Sequence, residues 1–432
     1  MKSKYILLII TVVTVLNCNK NDDTTTTELP ELQNEPPLSF NLIDVADMAT
    51  DVDVLPTLSW ESAKNPKGGE VTYDLYLGKE TDPTTLYKSD ISGTSYEISK
   101  RLNLLANYYW KVRATDAEGR SSQSQVHKFT TRDLIIAEVP VVANASFPAR
   151  LGQTTVAHED KLWVIGGYDS SLSNDIWQST DGLHWEQVAV DGHFSKRMNH
   201  VSVVFKDKIW VIGGQTGFET ITKNSAHLAN DVWYSENGSD WVQATSAAQF
   251  SARTRHTVTV FNDTLWLIGG ITESGRKNDI WFSTDGINWT ESTDNAPFTN
   301  RTGHSATVFD DKLWVIGGND HTEEGADWYS EDGMTWTKSN SSEHFFSSRW
   351  SHTAVVFDDT LWVIGGLMPF GHIPPTMYSK DGEHWVQFEE DIPFLPRRGH
   401  TAVAFKNKLW VIAGLDMKEV PSVQTNDIWV LE

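Results

Sequence analysis

Apolar and polar residues alternate in short runs along most of the chain, a pattern that predicts β-strands rather than helices. The clearest example is the segment 298–318, which reads FTNRTGHSATVFDDKLWVIGG. It contains an alternating run, a short turn, and a second apolar run that ends at two glycines. The pattern predicts a two-stranded hairpin whose second strand ends at the diglycine, because residues without a side chain permit a positive φ and close backbone approach.

This segment occurs six times, at successive spacings of 47, 56, 48, 48 and 48 residues. Each copy carries Phe-x-x-Arg, and five of the six carry a His three residues after that Arg. In the first five copies a third strand and a Ser-x-Asp/Asn-Gly-x-x-Trp turn follow, which suits a tight hairpin into a fourth strand. Four short strands in a repeat of about 48 residues are typical of a propeller blade. The sequence therefore predicts a six-bladed β-propeller.

The repeat resembles the kelch repeat in its Arg-x-Gly-His start, its diglycine and its later Trp, over about residues 133–432. The resemblance implies an all-β fold, a six-bladed kelch-type β-propeller. Such propellers serve as binding platforms, and the fold by itself does not name the ligand.

The two ends of the predicted propeller complement each other. The sixth copy stops at Glu432, after its third strand, whereas the apolar segment 134–142 (LIIAEVPVV) precedes the first copy. We expect this segment to pair with the last strand, because closing the ring leaves no strand edge unpaired at that point.

Residues 38–132 have a different strand pattern, without the blade repeat. Strands are predicted at 56–60, 71–78, 108–116 and 127–131, with Trp60 and Trp110 in the core of two facing sheets. This segment resembles a fibronectin type III domain in its LSW strand, its YDLY segment and its later YWKV segment. The resemblance implies a β-sandwich that acts as a spacer.

The N-terminus resembles a bacterial lipoprotein signal of the Bacteroidetes type. Two lysines precede a twelve-residue apolar run, 5–16, that is short for a bilayer span, and Cys18 follows. The resemblance implies a signal peptide over 1–17, lipidation of Cys18 and a flexible tether over 18–37. It places the protein at the outer membrane, lipid-anchored and exposed on the cell surface. An uncleaved N-terminal anchor helix is the alternative.

Composition excludes several classes of function. A formal charge of -23 argues against a nucleic-acid partner, because phosphate binding needs a basic surface. Cys18 is the only cysteine, which excludes the cysteine-dependent radical cofactor of galactose oxidase, an enzyme that shares the kelch scaffold. No phosphate-loop, dinucleotide, HExxH or GxSxG motif occurs. We therefore expect no cofactor and no metal site.

Candidate ligand-binding residues lie where the repeats enter their first strands. Six arginines are expected to ring the channel mouth as an anion site: Arg150, Arg197, Arg253, Arg301, Arg349 and Arg397. Five histidines follow them, of which His304 and His352 are catalytic candidates if the protein is an enzyme. A structural role for both rings is the alternative, since each residue recurs in nearly every blade.

Departures from the repeat point to the same face. Trp350 is the only propeller tryptophan outside the repeat positions, and His372 lies in an unusually apolar loop of the fifth copy, 367–375. Arg255 and Arg398 are additional arginines beside the ring. Aromatic rings and guanidinium groups together suit an acidic sugar, through stacking and forked hydrogen bonds.

These observations lead to one expected function and two alternatives. We expect a cell-surface lipoprotein that binds an extracellular ligand, an acidic polysaccharide, on the arginine-lined face. The alternatives are a polysaccharide lyase or sugar epimerase that acts on the same face, and a scaffold that binds a surface protein. Whether the protein is an enzyme is left open by the sequence, with non-covalent binding favoured.

Overall fold

The computed structural model describes residues 35–188, 193–217, 227–319, 326–340, 349–388, 392–418 and 420–432. The predicted signal peptide, Cys18 and most of the predicted tether lie outside these ranges. The chain divides into two compact units between Arg132 and Asp133. Among the described residues, no helix is long and apolar enough to cross a bilayer.

The first unit consists of two sheets packed around one core. Its strands are β1 (Ala49–Val52), β2 (Thr57–Ser59), β3 (Val71–Gly78), β4 (Leu86–Ile91), β5 (Ser95–Glu97), β6 (Asn107–Asp116), β7 (Ser121–Gln123) and β8 (His127–Thr131). One sheet has the order β1-β8-β6-β3-β4, with β7 also on β6, and the other is β2-β5. Trp60 and Trp110 are 1% and 0% exposed in a single core cluster, which confirms their predicted place.

The second unit is the predicted β-propeller. Its first three blades are β9 (Thr154–His158), β10 (Lys161–Tyr168), β11 (Leu172–Ser179) and β12 (Glu186–Val188); β13 (Val201–Phe205), β14 (Lys208–Gln215), β15 (Leu228–Ser235) and β16 (Trp241–Thr245); β17 (Thr257–Phe261), β18 (Thr264–Thr272), β19 (Gly275–Ser283) and β20 (Thr290–Thr293).

The other three blades complete the ring, with a 3₁₀ turn at Pro369–Gly371 in the fifth. They are β21 (Ser305–Phe309), β22 (Lys312–Ile316), β23 (Trp328–Ser330) and β24 (Thr337–Lys338); β25 (Thr353–Phe357), β26 (Thr360–Ile364), β27 (Met377–Ser379) and β28 (Trp385–Gln387); β29 (Arg397–Arg398), β30 (Thr401–Phe405), β31 (Lys408–Asp416) and β32 (Val423–Leu431).

Each blade has two faces, and each face packs against a different neighbouring blade. The two faces carry different residues because successive side chains of a strand point to opposite sides. In β10, Leu162 and Val164 join a core cluster with blade six, whereas Trp163 and Ile165 join one with blade two. Successive apolar residues of the strand therefore belong in turn to two different cores, one on each side of the blade.

In five of the six blades the repeated Trp of the second strand docks on a turn glycine of the next blade; the exception is Trp362 of blade five. A Cβ atom placed on Gly238 of blade two would lie 2.2 Å from the indole of Trp163 in blade one. The same contact joins Gly182 of blade one to Trp410 of blade six, so the packing continues across the junction between first and last blades. The glycine is required here because any side chain would collide with the indole.

The N-terminal segment of the propeller completes the last blade. Ile135 and Glu432 exchange two backbone hydrogen bonds, of 2.8 and 3.1 Å, and Val142 and Ile428 exchange two more, of 3.3 and 2.8 Å. Leu134 is 2% exposed. The segment predicted to close the ring thus pairs antiparallel with β32, through two isolated bridges and not as a continuous strand.

Candidate binding site at the channel mouth

The six ring arginines are buried inside the propeller. Each is 0–1% exposed. Each guanidinium donates to the backbone carbonyl at the first diglycine position of its own blade, as Arg253 does to Gly269 at 2.8 Å. Their backbone carbonyls accept from the preceding blade, as Arg253 does from Gly214 at 2.9 Å. The arginines therefore join each blade to its neighbour.

In four blades the ring arginine forms a forked ion pair with an aspartate two residues before the third-strand Trp. The pairs are Arg150–Asp175, Arg197–Asp231, Arg253–Asp279 and Arg397–Asp427, at 2.6–2.8 Å. The Trp indole donates to the same carboxylate. Although burial alone would raise it, the bonds from Arg253 hold the pKa of Asp279 below its ordinary value. Each pair is a satisfied charge-assisted contact.

This placement corrects the expectation that Arg150, Arg197, Arg253, Arg301, Arg349 and Arg397 bind a ligand. An arginine is rarely buried without a partner, and here the partners are carboxylates and carbonyls of the protein itself. The ring is a structural device of the fold.

The histidine ring is buried as well. His304 and His352 are 5% and 7% exposed, and neither reaches the mouth. Burial, with a smaller contribution from the charge of Arg301, lowers the pKa of His304 to about 3. The pKa of His352 lies well below its ordinary value, again chiefly because of burial. The structure therefore does not support these two residues as the catalytic acid or base of a lyase or epimerase.

Blades four and five lack the arginine–aspartate pair that the other four blades share. In blade four Asp327 comes one residue before Trp328 instead of two, so its side chain points to the other side of the strand. It is 2% exposed and accepts a hydrogen bond from the Gly317 N–H at 3.1 Å. Burial raises the pKa of Asp327 to about 7, against that hydrogen bond and the charges of Arg301 and Arg349.

The raised pKa makes Asp327 a source of pH-dependent stability. Because the folded protein holds this proton more tightly than the unfolded chain does, its contribution is full at low pH. That contribution is lost as the pH rises to about 7. Asp327→Asn keeps the acceptor for Gly317 and removes the charge. We expect it to raise the free energy of unfolding at pH 8 by on the order of 2–4 kcal/mol, with a much smaller gain at pH 4.

Denaturant unfolding at both pH values measures this effect. Asp207→Asn, in an exposed turn, is the control. An equal difference between Asp327→Asn and wild type at pH 4 and 8 would contradict the assignment.

The channel mouth is encircled by six residues, each two positions after a ring arginine, which we call the inner ring. They are Gly152, Asn199, Arg255, Gly303, Ser351 and Gly399. Each N–H donates to the carbonyl of the inner-ring residue of the preceding blade, at 2.8–3.2 Å, and Gly152 donates to Gly399 to close the circle. All six have a positive φ, between 49° and 67°. Glycine suits this backbone, and arginine does not.

Arg255 is the cationic member of the inner ring. Its side chain is exposed to solvent at the mouth, although many protein atoms lie close to the guanidinium. Its pKa is lowered, first by desolvation and then by the positive charges of Arg398 and Arg276. Arg398 belongs to blade six, which lies opposite blade three in the hydrogen-bonded ring. Arginines from opposite blades therefore approach each other near the channel axis.

Trp350 and His372 are the two predicted ligand-binding residues that remain accessible. Trp350 is half-buried, and its backbone pairs with Leu367 at the start of the apolar loop. A Cβ atom on Gly303 of the inner ring would lie 3.3 Å from the Trp350 Cβ, which places Trp350 beside the mouth. His372 is exposed in the same loop.

The candidate site at the mouth thus differs from the predicted ring. It combines Arg255, Arg398 and Trp350, three residues that interrupt the repeat. All three stand out in the sequence as departures from the repeat, which distinguishes them from the ring arginines, because a repeated residue serves each blade alike. Within the described ranges, no group of three or more His, Cys, Asp or Glu side chains is placed to hold a metal ion.

Comparisons with known proteins agree with this architecture. Residues 152–366 match the model of the KLHDC2/KLHL20/DRC7 Kelch-repeats domain. The solved structure titled "Structure of YjhT" matches with a TM-score of 0.50 and 16% identity, over 67% of this chain and 96% of that one. No curated protein matches significantly. At such low identity the structural match shows the fold alone. The second unit therefore has the fold of a kelch-type β-propeller.

Proposed function

We propose that the propeller binds an anionic extracellular ligand, an acidic polysaccharide, at the channel mouth. The observation that carries this proposal is Arg255, an exposed arginine held at a φ of 54° in a ring where three blades use glycine. A non-glycine residue in this region is strained, and strain of that kind clusters at functional sites. Arg398 and Arg276 add positive charge at the same place.

The charge distribution supports an anion at this mouth. The whole chain carries a formal charge of -23, so a cluster of arginines is a local exception. Five of the six turns between first and second strands, at the opposite end of the channel, carry an aspartate, whereas the blade-six turn has Lys406 and Asn407; the aspartates are Asp160, Asp207, Asp263, Asp311 and Asp359. A cluster of positive charges on an acidic protein attracts anions, and its planar guanidinium groups match carboxylate and sulfate geometry.

Trp350 supplies the second kind of contact that a sugar needs. Its indole is partly exposed beside the inner ring. An aromatic face stacks on the apolar face of a sugar ring whatever the sugar's charge. The arrangement fits a ligand that has both a flat apolar face and an anionic group.

Arg255→Gly tests this proposal, because binding and stability should change in opposite directions. We expect at least a tenfold loss of affinity for an acidic polysaccharide, since a charge-assisted contact contributes roughly 1.5–3 kcal/mol. Stability should rise by about 1 kcal/mol, because glycine relieves the strained φ. Calorimetric titration with polygalacturonate and chondroitin sulfate, followed by thermal melts, measures both changes.

Lys338→Ala is the matched control, since it removes one positive charge from an outer strand. Its affinity should equal that of wild type. Unchanged binding by Arg255→Gly would overturn the proposal. Unsaturated products released during the titrations would show a lyase instead of a non-catalytic binder.

The proposed location rests on the N-terminal pattern around Cys18. Cys18→Ser should give a precursor that takes up no radiolabelled fatty acid, because the thiol is the site of lipidation. Protease added to intact cells should digest the wild-type protein. Fatty-acid labelling of the mutant, or full protection of the wild type, would contradict a surface lipoprotein.

A further inference from the structure

Asn199, in blade two, stands next to Arg255 in the inner ring. The Arg255 N–H donates to the Asn199 carbonyl at 3.0 Å, and the Thr254 hydroxyl donates to the same carbonyl at 3.3 Å. Residues that are bonded through an N–H and a carbonyl in this way have Cα atoms roughly 5 Å apart. Asn199 and Arg255 are therefore fixed side by side, at a separation that allows both to contact substituents of one sugar ring.

The Asn199 side chain lies on the mouth side of the inner ring. Its Oδ1 is 2.8 Å from the position that a Cβ atom on Gly152, in blade one, would occupy. Gly152 and Arg255 hold equivalent places in their blades, with φ values of 67° and 54°. A Cβ atom on Gly152 would therefore point in the direction in which the Arg255 side chain leaves its backbone. The Asn199 carboxamide lies in that space, and the residue is half-buried.

This side chain lowers the stability of the fold. Its Nδ2 is enclosed by protein, and no hydrogen-bond partner for it occurs among the residues that the structure describes. An enclosed donor without a partner destabilises the folded state. Asn199 also has a φ of 49°, in the region that favours glycine. Glycine, which blades one, four and six have at this position, would avoid both costs. A contact with ligand at the mouth accounts for a polar side chain here.

We propose that Asn199 binds a ring hydroxyl of the same sugar whose anionic group contacts Arg255. The ligand is then recognised as a uronic acid, in which a carboxylate and hydroxyl groups share one ring, and not as any polyanion. The inference rests on the proposed function. A carboxamide suits this role because it both donates and accepts hydrogen bonds, as a sugar hydroxyl does, whereas a guanidinium only donates.

Two polycarboxylates separate the hydroxyl contact from the ionic one. Polygalacturonate carries ring hydroxyls, and polyacrylate carries none. Asn199→Gly removes the side chain and leaves a residue that suits the positive φ. We expect about a threefold to tenfold loss of affinity for polygalacturonate, the effect of one neutral hydrogen bond, and no change for polyacrylate. Calorimetric titration of the full chain with each polymer measures both affinities.

A matched pair of glycine substitutions tests the same contact while Asn199 stays in the chain. Gly152→Ala places a methyl group against the Asn199 Oδ1, so it should displace the carboxamide and cause the same selective loss. Gly399→Ala is the control. Gly399 has a φ of 61°, and the nearest atom to an added Cβ is the Leu151 Cβ, at 3.5 Å. This variant should keep the wild-type ratio of the two affinities, while both variants lower the melting temperature alike.

The outcomes distinguish this inference from the proposed function. Unchanged polygalacturonate affinity in Asn199→Gly, with affinity still lowered by Arg255→Gly, would overturn the role of Asn199 and leave anion binding intact. An equal loss for both polymers in Asn199→Gly would overturn recognition of a hydroxyl. Unchanged affinity of Arg255→Gly for both polymers would overturn the proposed function. Binding of neither polymer, and of no chondroitin sulfate, would overturn both.

Discussion

Arg253→Ala is expected to destabilise the propeller by about 3–5 kcal/mol, because it leaves a buried carboxylate without its partner. Arg253 is 0% exposed, and Asp279, the partner, is the most buried of the four paired aspartates, with its side chain 8% exposed. The substitution also removes the bond to the Gly269 carbonyl. Denaturant unfolding of the full chain, followed by tryptophan fluorescence, measures the loss.

Arg255→Ala, two residues away, is the matched control for this prediction. It also removes one positive charge, but it breaks no buried ion pair, so its stability should stay within about 1 kcal/mol of wild type. Arg253→Met with Asp279→Leu should recover much of the stability, since an apolar pair of similar volume leaves no buried charge. If Arg253→Ala keeps wild-type stability and loses ligand binding, the ring arginines are a binding site after all.

Removal of the closing segment, residues 134–142, is expected to have a comparable effect. A chain that begins at Asn144 loses the four backbone hydrogen bonds to β32 and the buried Leu134. At roughly 1 kcal/mol for each hydrogen bond and 1.5–3 for the leucine, the loss is on the order of 5–7 kcal/mol. The melting temperature should fall by more than about 10 °C relative to a chain that begins at Asp133.

Two substitutions in the full chain provide a matched test of the same strand. Leu134→Ala should cost about 2–5 kcal/mol, because the side chain is 2% exposed. Val139→Ala should change stability little, because that side chain is 68% exposed in the same segment. Equal melting temperatures for the chains that begin at Asp133 and Asn144 would contradict closure by this strand.

The propeller architecture could be predicted from the sequence because each blade repeats the same local packing contacts. Trp163 and Gly238 recur at equivalent positions in other blades, since in five of the six blades the indole of the second strand packs on a turn glycine of the next blade. Closure of the ring could also be predicted, because the sixth copy lacks a fourth strand and an apolar segment precedes the first copy. The exposed strands of the first unit, such as β4, were not predicted, since their alternation is interrupted by turns and polar residues.

The binding residues were harder to predict because burial is not a local property. The sequence presents Arg253 and Arg255 as two arginines on one short segment. Only the fold places Asp279, 26 residues later, against the first, and leaves the second facing the channel. The sequence shows that Asp327 lies one residue closer to the third-strand Trp than the other aspartates do, so that its side chain points to the opposite side of the strand. The effect of this change depends on which residues lie on that side.

Strand periodicity and repeat spacing by themselves determined the class of fold, the number of blades and the way in which the ring closes. These properties follow from contacts that each repeat makes with the next, so a local pattern carries them. The tertiary structure decided which charged residues hold blades together and which reach the mouth. That division depends on desolvation and on partners that lie far apart in the chain. Arg397 and Arg398 show this most clearly, because they are adjacent in sequence, yet Arg397 is buried against Asp427 and Arg398 lines the mouth.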